Sequence, residues 1–199
     1  MALTTVALKA GLTRLAAGME AAADELNTVD GKLGDGDLGV TMVRGTRQIL
    51  NALPGLPEDV GMALMQCAQA FTKTSGSSYG TLLATGLLSA AKACRGRTEV
   101  PWSEVSALLA GALAAMTLRG KASLGDKTVL DALDAVRAAT EGLDDPAAIR
   151  AAAEAAATEA LDRHRGQPNK IGRARIFGEK SIGLDDPGML AFKRIVEAL

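Results

Sequence analysis

The chain has 199 residues, 22 basic and 23 acidic side chains and a net charge of −1, so no global attraction to nucleic acid or to an anionic membrane is expected. Hydrophobic residues make up 48%, enough for one domain's core, which excludes a disordered chain. Aromatic residues make up only 3%, which argues against base-stacking platforms and β-sandwich cores. Cys67, Cys94 and the single His164 are too few for a disulfide scaffold, a cysteine-based zinc site or a two-imidazole centre. No apolar run long enough to span a membrane and no signal-peptide-like start occurs, so the chain reads as a reduced cytoplasmic protein.

Alanine and leucine dominate while β-branched and aromatic residues are sparse, which favours helix throughout. Leu8, Leu12, Leu15, Met19 and Ala23 keep helical spacing, with Thr4 or Thr5 as cap and an end expected near Asn27. Further helices are predicted near Leu38–Leu53, Pro57–Phe71, Tyr79–Cys94, Trp102–Leu118, Lys127–Gly142, Pro146–Arg165 and Pro187–Leu199. All six prolines fall between these segments or in their first turns, where a missing N–H costs least. With no linker or composition break, residues 1–199 read as a single domain, an all-α antiparallel up-and-down bundle of eight helices.

Four connections, 28–39, 72–81, 119–128 and 166–188, are rich in Gly, Asp, Ser, Thr and Arg. Even helix counts between them return the chain to the same end, placing at least three on one rim, where a site is to be sought. The first connection puts Asp30, Asp35 and Asp37 among glycines within eight residues. Such crowded carboxylates suit a hard divalent cation; a turn in which Asp35 and Asp37 merely cap backbone is the other reading. Asp37 also precedes a helix whose first amides suit phosphate. Gly34-Asp35-Gly36-Asp37-Leu38-Gly39 matches a dinucleotide fingerprint in letters, but no strand precedes it, and an EF-hand fails because position 12 from Asp35 is Thr46. There is no P-loop.

The stretch Thr72–Thr81 offers hydroxyls at a helix start, for a phosphate or simply for a cap. In the third connection Asp126 or Thr128 is a candidate helix cap. The fourth concentrates arginines, the usual partners of phosphate oxygens, although a solvated charge run has the same composition. His164, between two arginines, reads as a surface residue. Acidic, hydroxyl and arginine loops on one rim together point to a metal-bound polyphosphate.

In the spacing Asp30-(x)4-Asp35-Gly36-Asp37-x-Gly39, and in Met42-Val43-Arg44-Gly45, Ser75-Gly76 with Gly80-Thr81, and Arg119-Gly120-Lys121, the chain resembles the nucleotide-binding L subunit of dihydroxyacetone kinases, the DAK2 or DhaL family. The likeness continues through Gly125-Asp126-Lys127-Thr128, Gly172-Arg173-Ala174, Gly178–Gly183 and Asp186-Pro187-Gly188, and so covers essentially the whole chain. It implies an eight-helix antiparallel barrel, able to hold a lipid tail, with the nucleotide at one rim. Two Mg²⁺ ions would lie on Asp30, Asp35 and Asp37, and ADP or ATP is the cofactor it implies. Leu38, Gly39, Val40, Thr41, Thr74 and Ser75 would lie by the phosphates, with Gly120, Val129, Arg173, Asp186, Pro187 and Gly188 lining the rest. The resemblance identifies no catalytic side chain in this chain. The substrate it implies is a small ketose held covalently by a histidine of a separate K-type subunit, with a phosphotransferase-system M-type subunit as a further possible partner. A nucleotide-loaded regulatory partner without turnover is the alternative reading. Leu38 replaces a histidine common in the phosphotransferase-system branch, and Thr72–Ser78 replaces a glycine-rich family run.

Overall fold

In the computed structural model, which describes residues 2–73 and 76–199, eight α-helices are found among those residues. They are α1 (Thr5–Leu33), α2 (Leu38–Ala52), α3 (Val60–Thr72), α4 (Ser78–Ala93), α5 (Val105–Gly120), α6 (Val129–Ala139), α7 (Pro146–Arg165) and α8 (Pro187–Ala198). Side-chain caps start most of them: Thr4, Asp59, Ser77, Thr128, Asp145 and Asp186 each accept a backbone N–H of the first turn. Pro146 and Pro187 take the first helical position of α7 and α8.

Each helix packs on its successor and α8 packs back on α1, which closes an antiparallel ring. Met19, Leu26, Ala132, Ala157 and Met189 have no exposed surface and form the heart of its core. A buried large apolar side chain of this kind stabilises the fold by about 1.5–3 kcal/mol. No helix among the described residues is long and apolar enough to cross a membrane.

Several ends differ from the sequence expectation. Helix α1 continues past Asn27 to Leu33, because Leu26 and Leu33 lie one stripe apart and are both buried. Their packing outweighs the poor helix propensity of Asn27, Asp30 and Gly31. Helix α3 starts at Val60 rather than Pro57, because Asp59 caps it. Helix α5 starts at Val105, after a 3-10 turn at Trp102–Glu104, and α6 spans only Val129–Ala139. A two-stranded antiparallel ribbon, β1 (Ala2–Leu3) with β2 (Val100–Pro101), was not foreseen. The 166–188 connection contains a 3-10 stretch, Arg173–Ser181, broken at Gly178.

Ring topology puts the α1–α2, α3–α4, α5–α6 and α7–α8 connections at one end. Hydrogen bonds tie three of these regions together across the rim. Lys170 Nζ donates to Gly125 O at 2.8 Å, and Tyr79 Oη, at the start of α4, donates to Gly188 O at 3.0 Å at the start of α8.

Candidate functional site

Asp30 occupies the last turn of α1, where the helix dipole disfavours a carboxylate. Its Oδ2 is held by two backbone donors beyond the helix, Gly36 N and Asp37 N, both at 3.0 Å. That bend carries Asp35 and Asp37 back against Asp30, so one carboxylate oxygen of each lies within 4.8 Å of the others. Gly36, at φ +77°, supplies the left-handed residue the bend needs. Asp37 stands at the N-cap of α2 but its side chain makes no capping hydrogen bond.

Electrostatics separates the three. The Arg173 guanidinium, paired with Asp35 from the far connection, holds the Asp35 carboxyl below the usual carboxylate range. Partial burial, then the negative charges of Asp35 and Asp30, push Asp37 upward. Three carboxylates facing one guanidinium are under-neutralised. Their hard oxygen donors, two of them on exposed residues, fit Mg²⁺ or Ca²⁺ coordination chemistry.

Beside this cluster α2 begins. Leu38 is buried in the core and Thr41 is nearly so, whereas Val40 is exposed. Asn27 Oδ1 accepts from Gly39 N at 2.8 Å and Val40 N at 3.3 Å, so α1 itself occupies the first amides of α2. A Cβ at Gly39 would lie 2.1 Å from Ala23 O, and only glycine allows α1 and α2 to approach this closely.

Thr74 and Ser75 lie outside the described residues. Ser77, just after them, caps α4 by accepting from Gly80 N at 3.0 Å. Gly120 ends α5, and Val129, buried, opens α6 behind the cap Thr128, whose own N–H donates to Asp131 Oδ2 at 2.8 Å. Asp126 instead accepts from Ser123 N at 2.8 Å. At the start of α8, Asp186 Oδ1 accepts from Met189 N at 2.8 Å and its Oδ2 from Asn169 Nδ2 at 2.7 Å. Burial is the largest influence on Asp186 and raises its pKa to about 6, against the hydrogen bonds and the nearby Lys127 charge. Pro187 follows, and Gly188 O accepts from the half-buried Tyr79 hydroxyl.

The structure thus brings Asp30, Asp35, Asp37 and Arg173 together and sets Leu38–Thr41 directly behind them. Asp186–Gly188 are joined to the α4 start, and Gly120 and Val129 flank a connection tied to the last one. His164 is not a surface residue: its side chain is 12% exposed, Nδ1 lies 2.9 Å from Ala160 O, and Nε2 faces Asp131 at 3.6 Å. Sequence reasoning missed Asn27, hidden by the misplaced end of α1. It also missed the roles of Tyr79, Lys127 and Asn169, whose partners lie far along the chain.

The DAK2 domain matches residues 32–199 of this chain, beginning two residues after Asp30. Among curated proteins, the PEP-dependent dihydroxyacetone kinase, ADP-binding subunit DhaL, of Escherichia coli is 29% identical over 205 residues. That alignment covers 100% of this chain and 97% of the relative. The L-erythrulose 1-kinase of Mycolicibacterium smegmatis is 35% identical over 183 residues, covering 88% of this chain but 32% of that protein. In structure, the chain is similar over its whole length to 34% of the dihydroxyacetone kinase from C. freundii, solved in complex with AMP-PNP and Mg²⁺, with a TM-score of 0.77 and 24% identity.

Proposed function

The chain belongs to the DAK2 domain family, and from that premise we propose that it is the nucleotide-binding, phosphoryl-transfer subunit of a dihydroxyacetone-kinase-type enzyme. In this reading it passes phosphate from a Mg²⁺-bound adenine nucleotide to a short ketose, dihydroxyacetone or similar, held on a separate K-type subunit. One observation carries the reading: three aspartates converge within 4.8 Å beside the start of α2, with Arg173 paired to Asp35 from the far connection. The name of the E. coli relative, an ADP-binding subunit, and the AMP-PNP and Mg²⁺ of the C. freundii kinase support it.

Asp30, Asp35 and Asp37 would hold the metal, two ions in this proposal, and Mg²⁺ bound there would neutralise phosphate oxygens. The chain's own contribution is placement. Asn27 fixes the start of α2 by taking the Gly39 and Val40 N–H groups, so that Leu38–Thr41 lie beside the phosphates without offering them a titratable side chain. Leu38, folded into the core, fits that division, because the position offers no side-chain hydrogen bond. Arg173 adds charge from the opposite connection, and Thr74, Ser75, Gly120, Val129 and Asp186–Gly188 are assigned to the remaining nucleotide contacts. With no nucleophile or base assigned in this chain, positioning and charge neutralisation are its whole part in the transfer, and the chain by itself is expected to turn over negligibly.

The test is the nucleotide and metal released on denaturing purified wild-type and Asp35→Ala protein. ADP with about two Mg²⁺ per chain, lost in the variant, is expected for a retained cofactor rephosphorylated by an M-type partner. Reversible binding of Mg-ATP would indicate direct use of ATP. Absence of both nucleotide and metal binding would overturn the site. Adding a K-type subunit and ketose then separates a transferring subunit from a nucleotide-loaded regulator, which binds without transfer.

A further inference from the structure

Among the described residues Lys127 is the largest side chain with almost no exposed surface, 1% in all, and it adopts a left-handed backbone, φ +60°. Both features are costly for a lysine. Among the described residues its ammonium pairs with no carboxylate. Instead Nζ donates to three main-chain carbonyls, Gln167 O at 2.8 Å, Ser181 O at 3.0 Å and Arg165 O at 3.4 Å. Burial lowers the Lys127 pKa, and the charges of Asp186 and Asp185 oppose that shift.

The three carbonyls have a common address. Arg165 and Gln167 begin the α7–α8 connection and Ser181 closes its 3-10 stretch. Lys127 therefore cinches the two ends of one loop, and Arg173 stands between them. Further bonds seal the same neck. Asn169 Nδ2 donates to Lys127 O at 2.9 Å and to Asp186 Oδ2 at 2.7 Å, Asn169 N donates to Ser181 Oγ at 2.9 Å, and Lys170 N donates to Asp126 O at 3.2 Å. Asn169 Oδ1 is buried without a partner, so the neck is fully satisfied at its donors but not at its acceptors. If holding the fold were its only purpose, an apolar side chain would fill this volume without the desolvation of an ammonium.

We propose that Lys127 is a positioning residue of the nucleotide site: by drawing together the carbonyls of Arg165, Gln167 and Ser181 it fixes the loop that carries Arg173, and so sets where Arg173 meets the carboxylates and the bound phosphates. The inference rests on the nucleotide-site reading given above. It places the origin of the arm's geometry in the α5–α6 connection, which holds the carbonyls at both ends of the loop that carries Arg173. Tightening a loop at its neck removes conformations that the arm would otherwise sample, which is how a distant residue raises affinity without a contact.

The experiment is a double-mutant cycle read by calorimetric titration of Mg-ADP into wild type, Lys127→Met, Arg173→Met and the double variant, each first checked for helicity. Losing one charge-assisted contact to phosphate weakens binding about tenfold. Each single variant is expected to weaken Mg-ADP by that amount, and the double variant no more than either alone, because both remove the same positioned arm. Mn²⁺ alone should bind Lys127→Met at least as tightly as wild type, since the aspartates are intact and Arg173 no longer competes for Asp35. Multiplicative losses in the double variant, or wild-type Mg-ADP affinity in Lys127→Met, would overturn the proposal. Should Lys127→Met fail to fold, Ser181→Ala keeps the ammonium while removing the Oγ bonds to Asn169 N and Gly178 O. It should weaken Mg-ADP several-fold, again without adding to Arg173→Met, and unchanged affinity there overturns the idea. A wild-type chain that binds neither Mn²⁺ nor Mg-ADP removes the nucleotide site itself and this inference with it.

Discussion

Asp59 and Asp37 both stand at the N-cap of a helix, at opposite ends of the ring, and they use their carboxylates differently. Asp59 accepts from Met62 N at 2.9 Å and, across the rim, from Gly96 N at 2.7 Å. Those bonds are the main reason its pKa lies below the ordinary value. Around it the far rim is finished: Thr5 Oγ1 reaches Pro57 O and Glu58 O, Val60 N donates to Arg97 O, and Arg97 pairs with Glu104 through two bonds of 2.7 Å. Asp37 caps nothing with its side chain and is pushed up by burial and by two neighbouring aspartates. One rim spends its charges on the fold, and the other leaves three carboxylates facing a single guanidinium. An aspartate ahead of a helix therefore says little by itself; what it accepts, and which charges surround it, distinguish a cap from a candidate ligand.

The comparison is most severely tested by exchanging the consequences of the two residues. Asp37→Ala should reduce Mn²⁺ affinity by more than about a hundredfold, beyond what losing a supporting residue around a metal costs, while leaving thermal stability unchanged or raised. Loss of stability with retained metal binding would reverse the assignment.

Asp186 gives a second contrast, through pH. Its folded pKa of about 6 lies above the ordinary aspartate value of 3.8, so the native state binds the proton more tightly than the unfolded chain does. The stability this contributes is full below the unfolded value and is lost as pH rises through the folded one, about 3 kcal/mol between pH ~4 and ~6. Asp59, lowered, acts with the opposite sign, contributing stability above its unfolded value that is lost as pH falls. Denaturant melts across pH 4–7 should show the Asp186 slope in wild type and a flatter profile in Asp186→Asn. An unchanged slope would mean that another group titrates there.

Gly39→Ala probes the helix contact beneath the site. With backbone at 2.1 Å from the new Cβ, the helices must separate, at a cost of about 1–3 kcal/mol in denaturant unfolding. Smallest of all, Asp59→Ala should lower the melting temperature by a few °C and leave Mn²⁺ binding as in wild type. Lost metal binding in that variant would erase the distinction between the rims.

The sequence made the ring and the acidic cluster legible because both are local. Helical spacing, proline positions and six caps lie within a few residues of what they control, and Asp30, Asp35 and Asp37 are crowded by the chain before it folds. The end of α1 was misread because Val29 and Leu33 act through packing, which local propensity does not register. Nothing near Lys127 announces a buried ammonium: its three acceptors are 38, 40 and 54 residues away. Arg173 was legible as a motif, whereas its pairing with Asp35 needs the closed ring to exist.

That pairing joins the first connection of the ring to the last, across the seam where α8 meets α1. The cluster alone is complete once α2 has been made, but the full site exists only when the final helix has docked. A ligand that touches both sides of the seam therefore behaves as a latch on the closed ring. It adds RT ln(1 + [L]/Kd) to the free energy of opening there, and little to any opening that leaves the seam intact. Amide exchange at the α1–α8 contact should thus slow with ligand more than exchange at the far rim, making ligand occupancy a reporter of finished folding.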